Sequence, residues 1–308
     1  MPTVSIRSQS ASVMGALWLA LLSTTASASA DALPIISWGV DAAAQASRLQ
    51  ITANRVGCGA SLSACLARNT SGHPDKDSRI ALSLPASRSP ADILAAIDQF
   101  VSADPPPGQP YEIGLDDFAA IVRRGLQTNT LSSIGGIPEV IAHARTTPRL
   151  AATVYEDDLP YLESIKDSDL SRFRDGVQRV AFFLHYRPAV GAYTDYLNRV
   201  KRLFPNAEVF GGIYHYDRAD YLPCQADSRV RCTDAEEYAL FLKSVDVTLD
   251  AVRRGYLAGI ELYPGRIGQE ATWDGWSKSR TCRTSRQPEC IATSQRMGQA
   301  LVKKLEAR

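Results

Sequence analysis

Five short apolar runs in this chain end in residues able to exchange protons or hold hydroxyl groups. They read Gly114-Leu115-Asp116-Asp117-Phe118, Val154-Tyr155-Glu156-Asp157-Asp158, Leu184-His185-Tyr186-Arg187, Tyr214-His215-Tyr216-Asp217-Arg218 and Ile260-Glu261-Leu262-Tyr263-Pro264-Gly265. Carboxylates serve as general acids, bases and nucleophiles, imidazoles carry protons near neutral pH, and phenols stack and hydrogen-bond. Such ends converge when every strand points the same way, as in a β/α barrel, whose mouth is made of the carboxyl ends of its strands.

On the run at 111–116, Tyr111, Ile113 and Leu115 alternate with Glu112, Gly114 and Asp116. Period two places Asp116 at the inner rim and Asp117 just beyond it. Two adjacent carboxylates repel, and one pKa should rise toward the range a general acid needs; the competing role is a cap for a helix over 119–126. Asp158, ahead of Leu159-Pro160, reads as a helix cap, whereas glutamate caps poorly, which assigns Glu156 to the site. Glu261 shares the inner face with Gly259 and Tyr263, and an inward carboxylate is costly unless it works or pairs with an arginine such as Arg266. His185 and His215 close two successive runs and suit packing as well as chemistry; His73 and His143 read as structural.

Trp38, Tyr155, Tyr186, Tyr214, Tyr216 and Tyr263 fall at the same rim. Aromatic rings that stack on sugar faces, with carboxylates that hold hydroxyls, make a carbohydrate the expected ligand. Arg187, Arg218 and Arg266 leave room for an acidic sugar.

Along the chain, strand-like runs are expected at Ile35–Val40, Asn54–Gly59, Arg79–Leu84, Tyr111–Leu115, Leu150–Tyr155, Val177–Leu184, Glu208–Tyr214 and Gly259–Tyr263. Helical patterns lie between them: Ser89-Pro90 opens one, Pro138 another, and Gly191–Phe204 carries Tyr193, Leu197, Val200 and Phe204 on one stripe. Thr233-Asp234-Ala235-Glu236 is a capping box leading a helix to a stop at Gly255, and Ile291–Leu305 closes the chain. Eight strands alternating with helices predict an α/β fold, a single (β/α)8 TIM-type barrel. An open doubly wound sheet is the alternative, without a Gly-x-Gly-x-x-Gly string to support it. The long polar segment after Gly265 carries Trp273 and Trp276 and is expected to wall the site.

Residues 1–30 have the form of a secretory signal peptide: Arg7, an apolar run Met14–Leu22, then Ala28-Ser29-Ala30. The apolar run is too short to span a bilayer. Residues 31–308 would form the barrel domain, exported to the periplasm or beyond. Without Arg7 the 34 basic residues become 33, against 33 acidic ones. A neutral chain lacks the basic field of a nucleic-acid binder, and no membrane contact is expected after leader removal. Six cysteines fall into local pairs, Cys58/Cys65, Cys224/Cys232 and Cys282/Cys290, which in an exported chain suggest three disulfides in the loops. No cofactor is expected, and the protein is expected to be a monomer.

An exported barrel with this Gly-x-Asp-Asp-Phe string and acidic, aromatic strand ends resembles the (β/α)8 glycoside hydrolases. Gly114-Leu115-Asp116-Asp117-Phe118 is similar to the paired aspartates ending strand four of O-GlcNAcase-type N-acetylhexosaminidases. That resemblance implies that Asp116 polarises a substrate acetamido group and Asp117 is the general acid; Glu156 and Glu261 have no counterpart in it. The leading expectation is a glycosidase working through paired carboxylates, Glu156 with Asp117 or Glu261. Two alternatives are a metal-dependent barrel enzyme, with Asp116, Glu156, His185, His215 and Glu261 as ligands, and a non-catalytic barrel that binds polysaccharide through its tyrosines and Trp273 and Trp276.

Overall fold

Strand-length runs bounded by polar turns give eight strands: β1 (Ile35–Trp38), β2 (Ala53–Gly57), β3 (Arg79–Leu84), β4 (Pro110–Leu115), β5 (Arg149–Tyr155), β6 (Arg179–Phe183), β7 (Glu208–Tyr214) and β8 (Gly259–Tyr263). The structure, a computed structural model, describes residues 33–38, 52–57, 79–84, 92–93, 95, 110–127, 149–214, 233–263 and 287–307. All of them belong to one compact unit, Leu33–Arg308.

The three disulfides expected in the loops, Cys58/Cys65, Cys224/Cys232 and Cys282/Cys290, are not among the bonds the structure describes. Cys58, Cys65, Cys224, Cys232 and Cys282 lie outside the described residues. Cys290 differs from its expected place in a loop, since it falls on the last helix. The leader boundary at residue 30 also lies outside the described residues.

Each strand pairs in parallel with the next in sequence, and β8 pairs with β1, so the sheet closes on itself. Closure leaves no strand edge to protect and sends every carboxyl end to one mouth. Described helices follow β4 through β8: α1 (Phe118–Gln127), α2 (Leu159–Ser164), α3 (Asp167–Arg174), α4 (Tyr193–Leu203), α5 (Asp234–Arg253) and α6 (Gln287–Glu306). At α5 the expected capping box is present, with Thr233 Oγ1 accepting from the Glu236 amide at 3.3 Å and Glu236 accepting from the Thr233 amide at 2.8 Å. Its other end is a Schellman turn. Gly255 takes φ +71°, its amide donates to the Val252 carbonyl at 2.9 Å, and the Tyr256 amide donates to the Ala251 carbonyl at 2.8 Å.

Period two sorts the side chains. Outward residues such as Ile113, Leu115, Val154, Val180 and Phe182 pack on Phe118, Ile121, Leu162, Leu197 and Val200 of the helices. Ile35, Ile213, Ile260 and Leu262 pack on Phe241 and Val245 of α5 and Met297 and Leu301 of α6. Each such side chain contributes about 1.5–3 kcal/mol relative to exposure, which fixes the register and hence the direction of the inward residues.

The inside of the barrel has an apolar floor and a charged waist. Ile36, Ala53 and Phe210 form the floor. Above them the Arg55 Nε donates to Glu261 at 2.7 Å, its Nη2 donates to Glu261 at 3.0 Å, and Arg55 and Arg179 both reach Glu112. Two arginines and two glutamates, each nearly or wholly buried, balance in charge. Buried charges persist only when paired in this way. Glycines on β7 and β8 make room for rings: a Cβ at Gly212 would meet Phe183 at 2.2 Å, and one at Gly259 would meet Phe210 at 2.3 Å.

Candidate active site

The carboxyl end of β4 gives the mouth its first acid. Leu115 is held outward in the core, so Asp116 turns inward, half-buried, and Asp117 is exposed beside it. Asp117 takes φ +51°, the one described non-glycine residue in the left-handed region. Strain of this kind costs about 1–3 kcal/mol and collects at functional sites. Here it turns the chain from β4 into α1, in whose first turn the Ala120 and Ile121 amides donate to the Asp117 carbonyl at 2.9 and 3.2 Å. Burial pushes the Asp116 carboxyl up to about 7, helped by the negative charges of Asp117 and Glu261 and opposed by Arg55 and the Asp117 amide.

Around Asp116 stands an aromatic cup from the ends of five other strands, β1 and β5 through β8. Tyr155, Phe183 and Tyr214 contact in series, with centroids 6.3 Å and 4.9 Å apart. Tyr263 meets both Tyr214 and Trp38 edge to face, at 5.5 Å and 5.3 Å. Trp38 Nε1 donates to Glu261 at 2.6 Å, tying the cup to the waist. Tyr155 is buried, and burial followed by its interactions with Tyr214, Asp116 and Asp117 holds its pKa well above the usual phenol range. Trp38, Tyr155, Tyr214 and Tyr263 thus meet Asp116 and Asp117 at one mouth.

After β5 the chain makes a 3-10 turn, Glu156–Asp158, that organises the next strand end. Glu156 is 6% exposed, and its two oxygens accept the backbone amides of His185 at 2.7 Å and Tyr186 at 2.5 Å. Burial pushes its carboxyl up to about 7, although the two amides pull the other way. The expectation that Asp158 caps the following helix needs correcting. Asp158 precedes α2 without a side-chain cap; its carboxylate folds back to accept the Tyr155 amide at 3.1 Å, and burial raises it to about 6. Proline at the second position of α2 leaves one amide fewer to cap.

His185 lies over Tyr155, ring centroids 3.6 Å apart and planes 11° apart. Its Nδ1 faces Asp157, at 3.1 Å and 3.4 Å from the two oxygens. Burial opposes a charge on this imidazole, but Asp157, with Glu156 and Asp158 behind it, outweighs burial and raises its pKa above 6.5. The Asp157 carboxyl is correspondingly lowered, first by the His185 hydrogen bond.

Two expectations about charge change. Arg187, expected to add positive charge to the mouth, is buried and bound to Glu237 of α5 at 2.6 Å, with its guanidinium 5.5 Å from the Phe241 ring. Glu261 pairs with Arg55; Arg266, the partner considered from sequence, lies outside the described residues with His215, Tyr216, Arg218, Trp273 and Trp276. Tyr186 contributes its amide to Glu156. Among the described residues, no group of three or more side chains is arranged to hold a metal ion, and no helix is long and apolar enough to cross a membrane.

Sequence reasoning missed Arg55, Glu112, Arg179 and Asp157 as members of the site and its support. The first three carried a signal, since each is a charge at an inward position of a strand and their sum with Glu261 is zero. Asp157 carried none, because its partner is 28 residues away.

No protein-family model matches the chain, and no curated protein sequence matches it. Solved structures do. The fold is similar to the GH99 endo-alpha-mannosidase from Bacteroides thetaiotaomicron, with TM-score 0.51 and 10% identity over 87% of this chain and 80% of that one. A second structure of that enzyme, in complex with BIS-TRIS-Propane, gives 0.50 and 8% over 87% and 84%. A GH113 beta-1,4-mannanase gives 0.48 and 9% over 87% and 99%. At these identities the likeness is one of fold, to barrels that include glycoside hydrolases. The finer likeness to O-GlcNAcase-type enzymes rests on the Gly114–Phe118 string alone.

Proposed function

We propose that this chain is a glycoside hydrolase, exported by virtue of its leader-like first 30 residues, that cleaves a glycosidic bond at the mouth of the barrel. One observation carries the reading: Asp116 sits at the carboxyl end of β4, its carboxyl raised to about 7, beside a cup of Trp38, Tyr155, Tyr214 and Tyr263. A carboxylic acid that keeps its proton near neutral pH can deliver it to a departing sugar oxygen. Glycosidases flank the scissile bond with such an acid and a second carboxyl group.

In this reading a sugar ring lies against the cup, and Asp116 protonates the glycosidic oxygen as the bond to the anomeric carbon breaks. Asp117, exposed next to it, faces the positive charge developing on the ring. Glu156, expected from sequence to react together with Asp117 or Glu261, takes a supporting role, as does Glu261. Glu261 is held by Arg55 and Trp38 beneath the cup, and both oxygens of Glu156 are occupied by amides. The cup alone would also bind a sugar without cleaving it, so turnover is the deciding quantity.

The test is incubation of the purified chain with 4-nitrophenyl α- and β-glycosides of mannose, glucose, galactose and N-acetylglucosamine, and with soluble mannan, xylan and chitosan. Release of nitrophenol or new reducing ends from at least one, abolished by boiling, is expected. Binding to these sugars with no release would leave a carbohydrate-binding barrel and contradict the enzymatic reading.

A further inference from the structure

Of the groups at the mouth, Asp157 and His185 make a pair that the reaction above does not use. The imidazole is fixed on three sides. Tyr155 lies face to face beneath it, the Tyr214 ring stands parallel at 6.4 Å, and its own amide is held by Glu156. Asp157 meets it on the Nδ1 side. A carboxylate at Nδ1 selects the tautomer with the proton on that nitrogen and leaves a lone pair on Nε2. Among the described residues Nε2 has no hydrogen-bond partner, and the His185 side chain is 38% exposed.

We infer that His185, held by Asp157, is the base that activates water for attack on the anomeric carbon, opposite the Asp116 acid. The inference rests on the glycosidase reading. Water gives one proton to Nε2 of His185 while its oxygen bonds to the anomeric carbon. The carbon–oxygen bond to the leaving sugar breaks with its electron pair staying on oxygen, and that oxygen takes the proton of Asp116. The imidazolium then returns a proton to the Asp116 carboxylate through solvent, which restores both groups. Asp157 stabilises the imidazolium without itself taking the proton.

Spacing supports this division of labour. Asp116 follows β4, Tyr155 ends β5 and His185 follows β6, and these three strands are neighbours. Two strand spacings of about 4.8 Å separate the backbones of β4 and β6 by roughly 10 Å, wide enough for a water between the side chains they carry. Enzymes that place a water between the two groups keep their reactive groups ~6.5–9.5 Å apart and invert the anomeric configuration. The charged and titratable groups facing the imidazole are Asp157, Glu156 and Asp158 from the turn after β5, Tyr155 below and Tyr214 from β7.

The experiment takes whichever 4-nitrophenyl glycoside the native chain cleaves and reads the first-formed anomer by proton NMR, together with kcat and the pH profile of His185→Gln and Asp157→Asn. Inversion is expected, with kcat lowered about 10²–10⁴-fold in His185→Gln. The native acidic limb should lie above pH 6.5, since the base must be neutral and Asp157 holds its proton on. In Asp157→Asn that limb moves to lower pH as kcat falls, a change that loss of packing alone does not produce. Retention of configuration, or His185→Gln within about twofold of native, overturns the dyad while the glycosidase reading stands. No cleavage by the native chain overturns both.

Discussion

Arg55 grips Glu261 with two nitrogens, at 2.7 Å and 3.0 Å, at a depth where neither side chain is more than 1% exposed. The pair lies within electrostatic reach of Asp116 and acts on it with opposite signs, Arg55 lowering and Glu261 raising its pKa. The charged waist therefore both supports the cup and tunes the acid.

Glu261→Gln should show both functions. Removing one partner of a buried pair costs about 3–5 kcal/mol, measurable as a lower urea midpoint. The Arg55 charge, no longer matched, would then act on Asp116 and lower its pKa. The alkaline limb of activity, where Asp116 loses its proton, should move to lower pH. An unchanged limb in a folded variant would show that the waist does not tune the acid.

Strands and their facing were legible in the sequence because outward apolar residues alternate so regularly. Ile113 with Leu115 and Ile260 with Leu262 pack on helices as expected, and Asp116, Glu261 and Tyr263 turn inward. The start of β6 was less so: the apolar pattern begins at Val177, but pairing with β5 begins at Arg179, opposite Ala151. The roles of the inward charges were harder still. The sequence points to Glu156 as a poor cap at a strand end and to Glu261 by its inward facing, and neither signal names a partner. Their partners, the amides at 185 and 186 and the guanidinium at 55, are 29 to 206 residues away.

Stability should fall as pH rises from about 5 to 8. Asp116, Glu156 and Asp158 have folded pKa values near 7, 7 and 6, above their ordinary values. The folded chain therefore binds more protons than the unfolded one between about pH 4 and 7, and stability declines across that window. His185 acts the same way, because a raised imidazole pKa contributes stability below 6.5 that is lost as pH climbs through the folded value. The lowered carboxyl of Asp157 works in the opposite direction only at acid pH, below 3.8. Thermal melts at about pH 5, 6, 7 and 8 should give decreasing Tm values; a Tm rising with pH would contradict this electrostatic description.

Gly212 sits opposite Phe183 across β6 and β7, and a Cβ there would come within 2.2–2.4 Å of the ring. Gly212→Ala should destabilise by about 1–3 kcal/mol through overpacking. Phe183→Leu in the same chain should recover part of the loss, and a double-mutant cycle in urea measures the coupling. Additive effects would mean that the ring is not where the cup requires it.

The central claim is that Asp116 delivers a proton to the leaving sugar, and the dependence of rate on leaving group tests it most directly. For Asp116→Asn, a loss of about 10²–10⁴-fold is expected on a substrate with a poor leaving group, such as a disaccharide. On the matching 2,4-dinitrophenyl glycoside, whose leaving group departs with little help, the loss should be far smaller. An equal loss on both substrates, or none on either, would contradict the assignment of Asp116 as the acid.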